Sequence, residues 1–239
     1  YRYKKENTYV VRFKNQIISA LQIVPFKIKD YEDSYFILGV STRKEYEGQG
    51  FMKLLMNRVL ELYKDKRIYL QAYHPEIYVP FGFKESHRHI LYKLDKAKYT
   101  LPSSICLSQD ISHLYDDYMR YTADFNHYLI RDEDYFSNYL RKRCAAFNDS
   151  VLTFKNEYGQ QGYMIYNDRG KFVYISEFIY NKEYLDDILK TISVYFYKDI
   201  RIETDCMASI HGEKTDMITM MCNQEDDMPL EKRYINEIY

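Results

Sequence analysis

The chain is predicted to be an α/β (α+β) protein, a mixed sheet flanked by helices and organised as two similar units. Three observations predict this. Runs of β-branched and aromatic residues come in groups, stretches with apolar residues three and four apart follow them, and a break rich in charge, Pro and Ser separates two such series. The 239 residues suit two small domains better than one large one, and 46% apolar residues supply material for packed cores.

The first series opens with the β-rich run 8–14, a tight turn at Asn15-Gln16, and a second run over 17–29, which together make a hairpin. Pro25 marks an edge position or a bend in the second run. Residues 34–41 are almost wholly apolar in their middle, as in a strand buried on both faces. Phe51, Leu54, Leu55, Arg58, Val59 and Leu62 then fall on one face of a helix running to Tyr63. A short strand over 68–71 follows, then a helical turn opened by Pro75 and stopped by Pro80, then a strand over 83–93.

Asp95 to Ser104 supplies the boundary, giving a first unit over 1–97 and a second over 105–239. In the second, helical spacing runs from Ile111 to Phe125 and again from Asp132 to Cys144. Strands are expected over 151–155, 162–166 and 171–178, with Asn167-Asp168-Arg169-Gly170 as a turn. A helix over 182–196 capped by Asn181 and a strand over 200–204 complete the series.

Lys plus Arg number 34 against 35 Asp plus Glu, a net charge of −1, so the cationic surplus that drives nucleic-acid binding is missing. No apolar run approaches the 18 or so residues of a membrane span. Cys106, Cys144, Cys206 and Cys222 show no CxxC spacing, which suits reduced thiols in a cytoplasmic protein. His87 and His89 alternate along a strand and share a face, but no third ligand is spaced to join them, so no metal is expected. Glu225-Asp226-Asp227 is read as a solvated loop.

Glycine is scarce, eight in all, so local clustering carries information. Gly48 and Gly50 lie where a buried strand gives way to an amphipathic helix. Glycine there lets backbone approach a bulky anion, and the free N–H groups of the first turn, Gly50 to Lys53, point at it. A P-loop would need Gly-Lys-Ser/Thr, and a dinucleotide fingerprint a third glycine at Lys53; neither is present.

Gly39-Val40-Ser41-Thr42, a short loop, then Gly48-Gln49-Gly50-Phe51-Met52 and a Leu-rich helix resemble the acetyl-CoA motif of the GNAT acetyltransferases. That motif usually begins with Arg or Gln; here Glu45 stands in the first position, which removes a side chain but not the backbone amides. The resemblance implies the GNAT acyl-CoA N-acyltransferase fold with a second GNAT-like domain and acetyl-CoA as co-substrate. Val40 and Thr42 would bond the pantetheine arm, and Glu47, Gly48, Gly50, Phe51 and Met52 would hold the pyrophosphate. Ile77-Tyr78-Val79-Pro80-Phe81-Gly82-Phe83 is similar to the IYxxFGF segment of the same family, in which a tyrosine protonates the departing CoA sulfur. Tyr78 is therefore the expected general acid.

Tyr128 to Phe136, between two helices and after a first GNAT-like unit, resembles the Eis-like (enhanced intracellular survival) branch, whose second GNAT-like domain has no working acetyl-CoA motif. Residues 105–239 contain no GxG, and 239 residues leave no room for that branch's sterol-carrier-like domain. In this fold two helices bordering the acceptor pocket precede the hairpin that begins here at Thr8. The branch also suggests a base: the terminal carboxylate, here Tyr239, with His74 as a rival. The expected activity is acetyl transfer to a primary amine of an aminoglycoside, a polyamine or a lysine side chain. The alternative is a non-catalytic acyl-CoA-binding or regulatory module. No nucleic-acid or membrane partner is expected, and a homo-oligomer stays open.

Overall fold

The opening hairpin turns at Lys14 and Asn15, both with positive φ (47° and 62°), the geometry that a two-residue hairpin loop demands. The turn therefore falls one residue before the expected Asn15-Gln16. The computed structural model describes residues 5–94, 103–205, 208, 210, 212–225 and 233–235. The boundary read at Asp95 to Ser104 lies outside the described residues as far as residue 102.

Strands β1 (Thr8–Phe13), β2 (Gln16–Pro25) and β3 (Ser34–Thr42) form an antiparallel meander. Pro25 is the last residue of β2, beyond the end of β1 pairing at Gln22, so its missing N–H removes no β1 bond. Helix α1 (Phe51–Leu62) carries the chain back to β4 (Arg67–Ala72), which pairs parallel to β3. Leu55, Met56 and Val59 of α1 are buried against Leu21, Ile23, Ile37 and Leu70. Strand β5 (Lys84–Leu94) closes this series.

After the short β6 (Cys106–Ser108) comes α2 (Leu114–Thr122), shorter at both ends than the spacing from Ile111 to Phe125 suggested. The short β7 (His127–Tyr128) follows. The helix expected over 132–144 is a π-helical turn, Tyr135–Tyr139, running into α3 (Leu140–Phe147). A second meander, β8 (Ser150–Asn156), β9 (Gly159–Asp168) and β10 (Phe172–Tyr180), then leads through α4 (Leu185–Phe196) to β11 (Asp199–Asp205), parallel to β10. Asn181 caps the turn before α4 by accepting a bond from the Glu183 N–H.

Strand β12 (Glu213–Cys222) has no counterpart in the sequence reading. It pairs antiparallel with β4 on one side and with β5 on the other, while β5 pairs in turn with β11. The order of the eleven-stranded sheet is β1-β2-β3-β4-β12-β5-β11-β10-β9-β8-β6. Each series, meander, helix and parallel strand, thus sends its last strand across the centre to complete the other's half. A two-strand sheet, β7 with β13 (Arg233–Tyr234), is tied to the chain after β2, where the Lys29 N–H donates to Tyr128 O and the Ile130 N–H to Lys27 O, and to β5, where Arg233 donates to Ser86 O.

Some of the abundant tyrosines, Tyr121 and Tyr163 among them, lie in the core, where phenols serve buried acids. Tyr163 donates to Glu177 at 2.5 Å, Tyr174 to Glu203 at 2.5 Å, and Tyr121 to Asp205. Arg131 adds two bonds to Glu177, at 2.8 and 2.7 Å. A buried carboxylate without such donors would be strongly penalised.

Candidate active site

Strands β3 and β4 pair only from Ser34–Arg67 to Ile37–Leu70. Beyond that point β3 turns away. Gln22 of β2 faces Leu38 while Ala20 faces Ser41, so β3 carries an extra residue there, and Gly39 at φ +62° takes up the bulge. A wedge opens between the diverging ends. The Arg43 N–H bonds Ile18 O, and Ser41 O accepts from Ser19 Oγ, so both use the β2 edge. Backbone groups alternate along a strand, so those of Val40 and Thr42 face the wedge.

The loop after β3 sets the wedge's floor. Gly48 and Gly50 are left-handed (φ +72° and +83°), and Gly50 is the N-cap of α1 with no side chain capping the first turn. A Cβ built on either glycine meets nothing within 4 Å, so their role is the turn itself and the open space beside it. Gln49 Nε2 donates to Glu45 O at 3.1 Å, and Glu45 faces Arg43 at 3.7 Å, ties that hold the loop.

These elements enclose a cleft of about 500 Å³ lined by Val40, Thr42, Glu47, Gly48, Gly50, Phe51, Met52 and Tyr78, together with Ser41, Tyr46, Lys53 and Ile77. The sequence-derived candidates are thus brought into one cavity, apart from the two candidate bases. The Glu47 N–H is spent on Lys44 O at 3.3 Å, so it does not point freely at an anion. Tyr46 and the Lys53 ammonium were not singled out in the sequence. Lys53 stands at the third helical position, where a cation beside exposed amides suits phosphate.

Tyr78 lies between two short 3-10 turns, Pro75–Ile77 and Val79–Phe81, and its ring meets Phe83 edge-on at 6.3 Å. It is half-buried, and burial raises its phenol above the usual range, so it keeps its proton at neutral pH. Its hydroxyl has no hydrogen-bond partner among the described residues. His74 does not line the cleft; its side chain is 74% exposed and sits 3.3 Å from Glu76. Tyr239 lies outside the described residues.

The wedge, the left-handed glycines and the uncapped helix start open on one cleft that extends to Tyr78, a shape and a set of free backbone groups that could hold an extended anion. Replacing Gly50 by Ala should cost about 1–2 kcal/mol of stability for a left-handed non-glycine residue. A weaker affinity for CoA should accompany it, read by urea unfolding and by titration.

No group of three or more His, Cys, Asp or Glu that could hold a metal ion occurs among the described residues. None of their helices is long and apolar enough to cross a membrane. Cys106, Cys144 and Cys222 are free thiols.

Residues 1–86 match the family model described as Acetyltransferase (GNAT) domain. No curated protein matches the chain. Among solved structures, a GCN5-related N-acetyltransferase from Kribbella flavida superposes with TM-score 0.64 at 15% identity, covering 90% of this chain and 59% of its own. Eis1 from Mycobacterium abscessus gives 0.56 at 11%, covering 90% and 63%. A tandem GNAT protein from the clavulanic acid biosynthesis pathway gives 0.59 at 12%, covering 95% and 86%. The chain therefore spans less than two thirds of the length of the first two. Its fold is the GNAT fold, and its residues 1–86 match the acetyltransferase domain that gives the fold its name.

Proposed function

We propose that the protein is an acetyl-CoA-dependent N-acetyltransferase that passes the acetyl group directly to a primary amine. The observation that carries this reading is the single cleft that joins the β3 wedge, the glycine-led start of α1 and Tyr78. In it, backbone groups of Val40 and Thr42 bind the pantetheine arm. The first-turn amides of α1 and Lys53 bind the pyrophosphate, and the Tyr78 O–H supplies a proton to the departing sulfur.

Residues 1–97 form the cofactor-binding unit, and residues 105–239 a supporting one. At the start of α4 stand Asp186 and Asp187, where α1 has no acid in its first turn, and such charges repel phosphate. The tandem arrangement and the likeness to Eis1 favour an Eis-like enzyme whose acceptor is an aminoglycoside, a polyamine or a lysine side chain.

The test is release of CoA thiol by the purified protein with acetyl-CoA and a panel of such amines. Amine-dependent release above background hydrolysis is expected. Release that no amine stimulates sinks the enzymatic reading. Thermal unfolding with CoA separates binding from turnover, since ligand at 100 times its Kd adds roughly 2.7 kcal/mol. Stabilisation without turnover would mark a non-catalytic acyl-CoA-binding module.

A further inference from the structure

The most unusual polar group in the described molecule lies outside the cleft, on β5. His87 is fully buried and His89 is 3% exposed, their rings perpendicular with centroids 4.8 Å apart. Glu203, 4% exposed, reaches His89 Nδ1 at 2.8 Å and accepts from Tyr174 at 2.5 Å. Neither ring nitrogen of His87, nor Nε2 of His89, has a hydrogen-bond partner among the described residues. Three such nitrogens, buried side by side, are costly unless water or a reacting group completes them.

Their place in the sheet says what they face. The last β3–β4 pair is Ile37–Leu70, so Gln71 is the first β4 residue at the opening wedge. Gln71 pairs with Met220 of β12, and Met220 pairs with His87. Two strand spacings, about 10 Å, separate His87 from the point where the wedge begins. Directly paired residues share a face, and Met220 packs with Phe36, Leu38 and Tyr69, in a different cluster from the one α1 forms with Leu70 and Met221. The imidazoles therefore stand on the far side of the sheet from α1, and Tyr78 packs on the α1 side.

We propose that His89, held by Glu203, and His87, whose ring lies edge-on beside it, form the proton-accepting relay for the attacking amine, reached from the wedge through bound water. This rests on the acetyl-transfer reading above. The ammonium gives a proton to the relay, and the freed amine attacks the thioester carbonyl. The carbon–nitrogen bond forms, the carbon–sulfur bond breaks, and the sulfur takes the Tyr78 proton. Tyr78 recovers a proton from the product nitrogen, and the relay releases the other to solvent.

Charged and titratable groups around the pair are Glu203 and Asp205 on β11, Tyr174 on β10, Tyr121 on α2, and Arg233 and Tyr234 on β13. Burial, then His89, then Arg233 hold His87 well below the ordinary histidine range. It is thus neutral at physiological pH, with an unprotonated ring nitrogen.

His87→Gln should lower kcat by about 10²-fold or more, with the KM for acetyl-CoA unchanged, and the lost rate should return as pH rises and the free amine forms unaided. Glu203→Gln preserves the shape but removes the carboxylate that holds His89 Nδ1 at 2.8 Å, so kcat should fall while the KM for acetyl-CoA stays unchanged. A merely structural role would lower folded protein without the recovery of rate at high pH that His87→Gln should show. If the wild type is active and both variants keep its pH profile and its rate within a few-fold, the relay is overturned while acetyl transfer stands. A wild type without amine-dependent turnover overturns the acetyl-transfer reading and the relay together.

Discussion

Tyr78→Phe is expected to lower kcat for acetyl transfer by about 10²–10⁴-fold, the usual worth of a positioned proton donor. The affinity for acetyl-CoA should stay nearly unchanged. Phenylalanine keeps the ring against Phe83 and removes only the hydroxyl, so the fold has little reason to respond. No hydrogen bond among the described residues is broken, and no buried partner is stranded, so the loss falls on the transition state alone. The pH behaviour follows from burial, which raises the Tyr78 phenol. A raised acid stays protonated to higher pH, so activity that depends on it is lost only on the alkaline side, above the ordinary tyrosine range. Pre-steady-state and steady-state CoA release across that range checks both statements. Unchanged kcat in the variant would remove Tyr78 from the chemistry.

The second large effect is expected from the far end of the chain. A protein ending at Asp205 should give neither cooperative unfolding nor a thermal shift with CoA, although residues 1–94, which contain every described residue of the cleft, are intact in it. The reason lies in β12, which bridges β4 and β5 along Thr219–Cys222 and Glu213–Cys222. Without it both strands expose unpaired backbone, and Met221 no longer fills the cluster beneath α1. Deletion of one buried methionine side chain alone typically costs about 2–5 kcal/mol, a large share of a domain's ordinary 5–15. Circular dichroism and calorimetry of the shortened chain read the result directly. A cooperative transition with CoA stabilisation would mean that the first half needs no strand from the second.

The elements that the sequence made legible are those with local causes. Helix α1 announces itself by apolar spacing and by the glycines before it, and the cleft residues cluster in two short segments whose backbone geometry demands particular residue types. The Asn181 cap belongs to the same class, and so does the turn read over Asn167–Gly170, although Asn167 and Asp168 are still paired strand residues and the chain reverses at 169–171. What escaped was non-local. Strand β12 contains Met217, Met220 and Met221, which favour helices as readily as strands, and it becomes a strand because β4 and β5 offer edges on both sides. The single-turn π-helix before α3 has no periodicity of its own to read. His87 and His89 showed their shared face in sequence, but Glu203 lies on β11, and only the exchanged topology brings it to them. His74, close to Tyr78 in sequence, is turned to solvent by the 3-10 turn that Pro75 starts.

The crossing of the last strands has a consequence for how the protein is made. Ala72 leaves the ribosome long before its partner Thr219, a delay of roughly seven to thirty seconds at about 5–20 residues per second. Throughout that interval one edge of β4 has no mate, and the cavity beside it cannot reach its final shape. On the function proposed above, a nascent chain is therefore expected to bind no cofactor until nearly all of it has emerged. The same interval exposes it to pairing with a neighbouring copy on the same message, whose own β12 would fit equally well. Two such chains could trade strands reciprocally, so the rate of synthesis and the local density of ribosomes become determinants of whether monomers or interlocked pairs result.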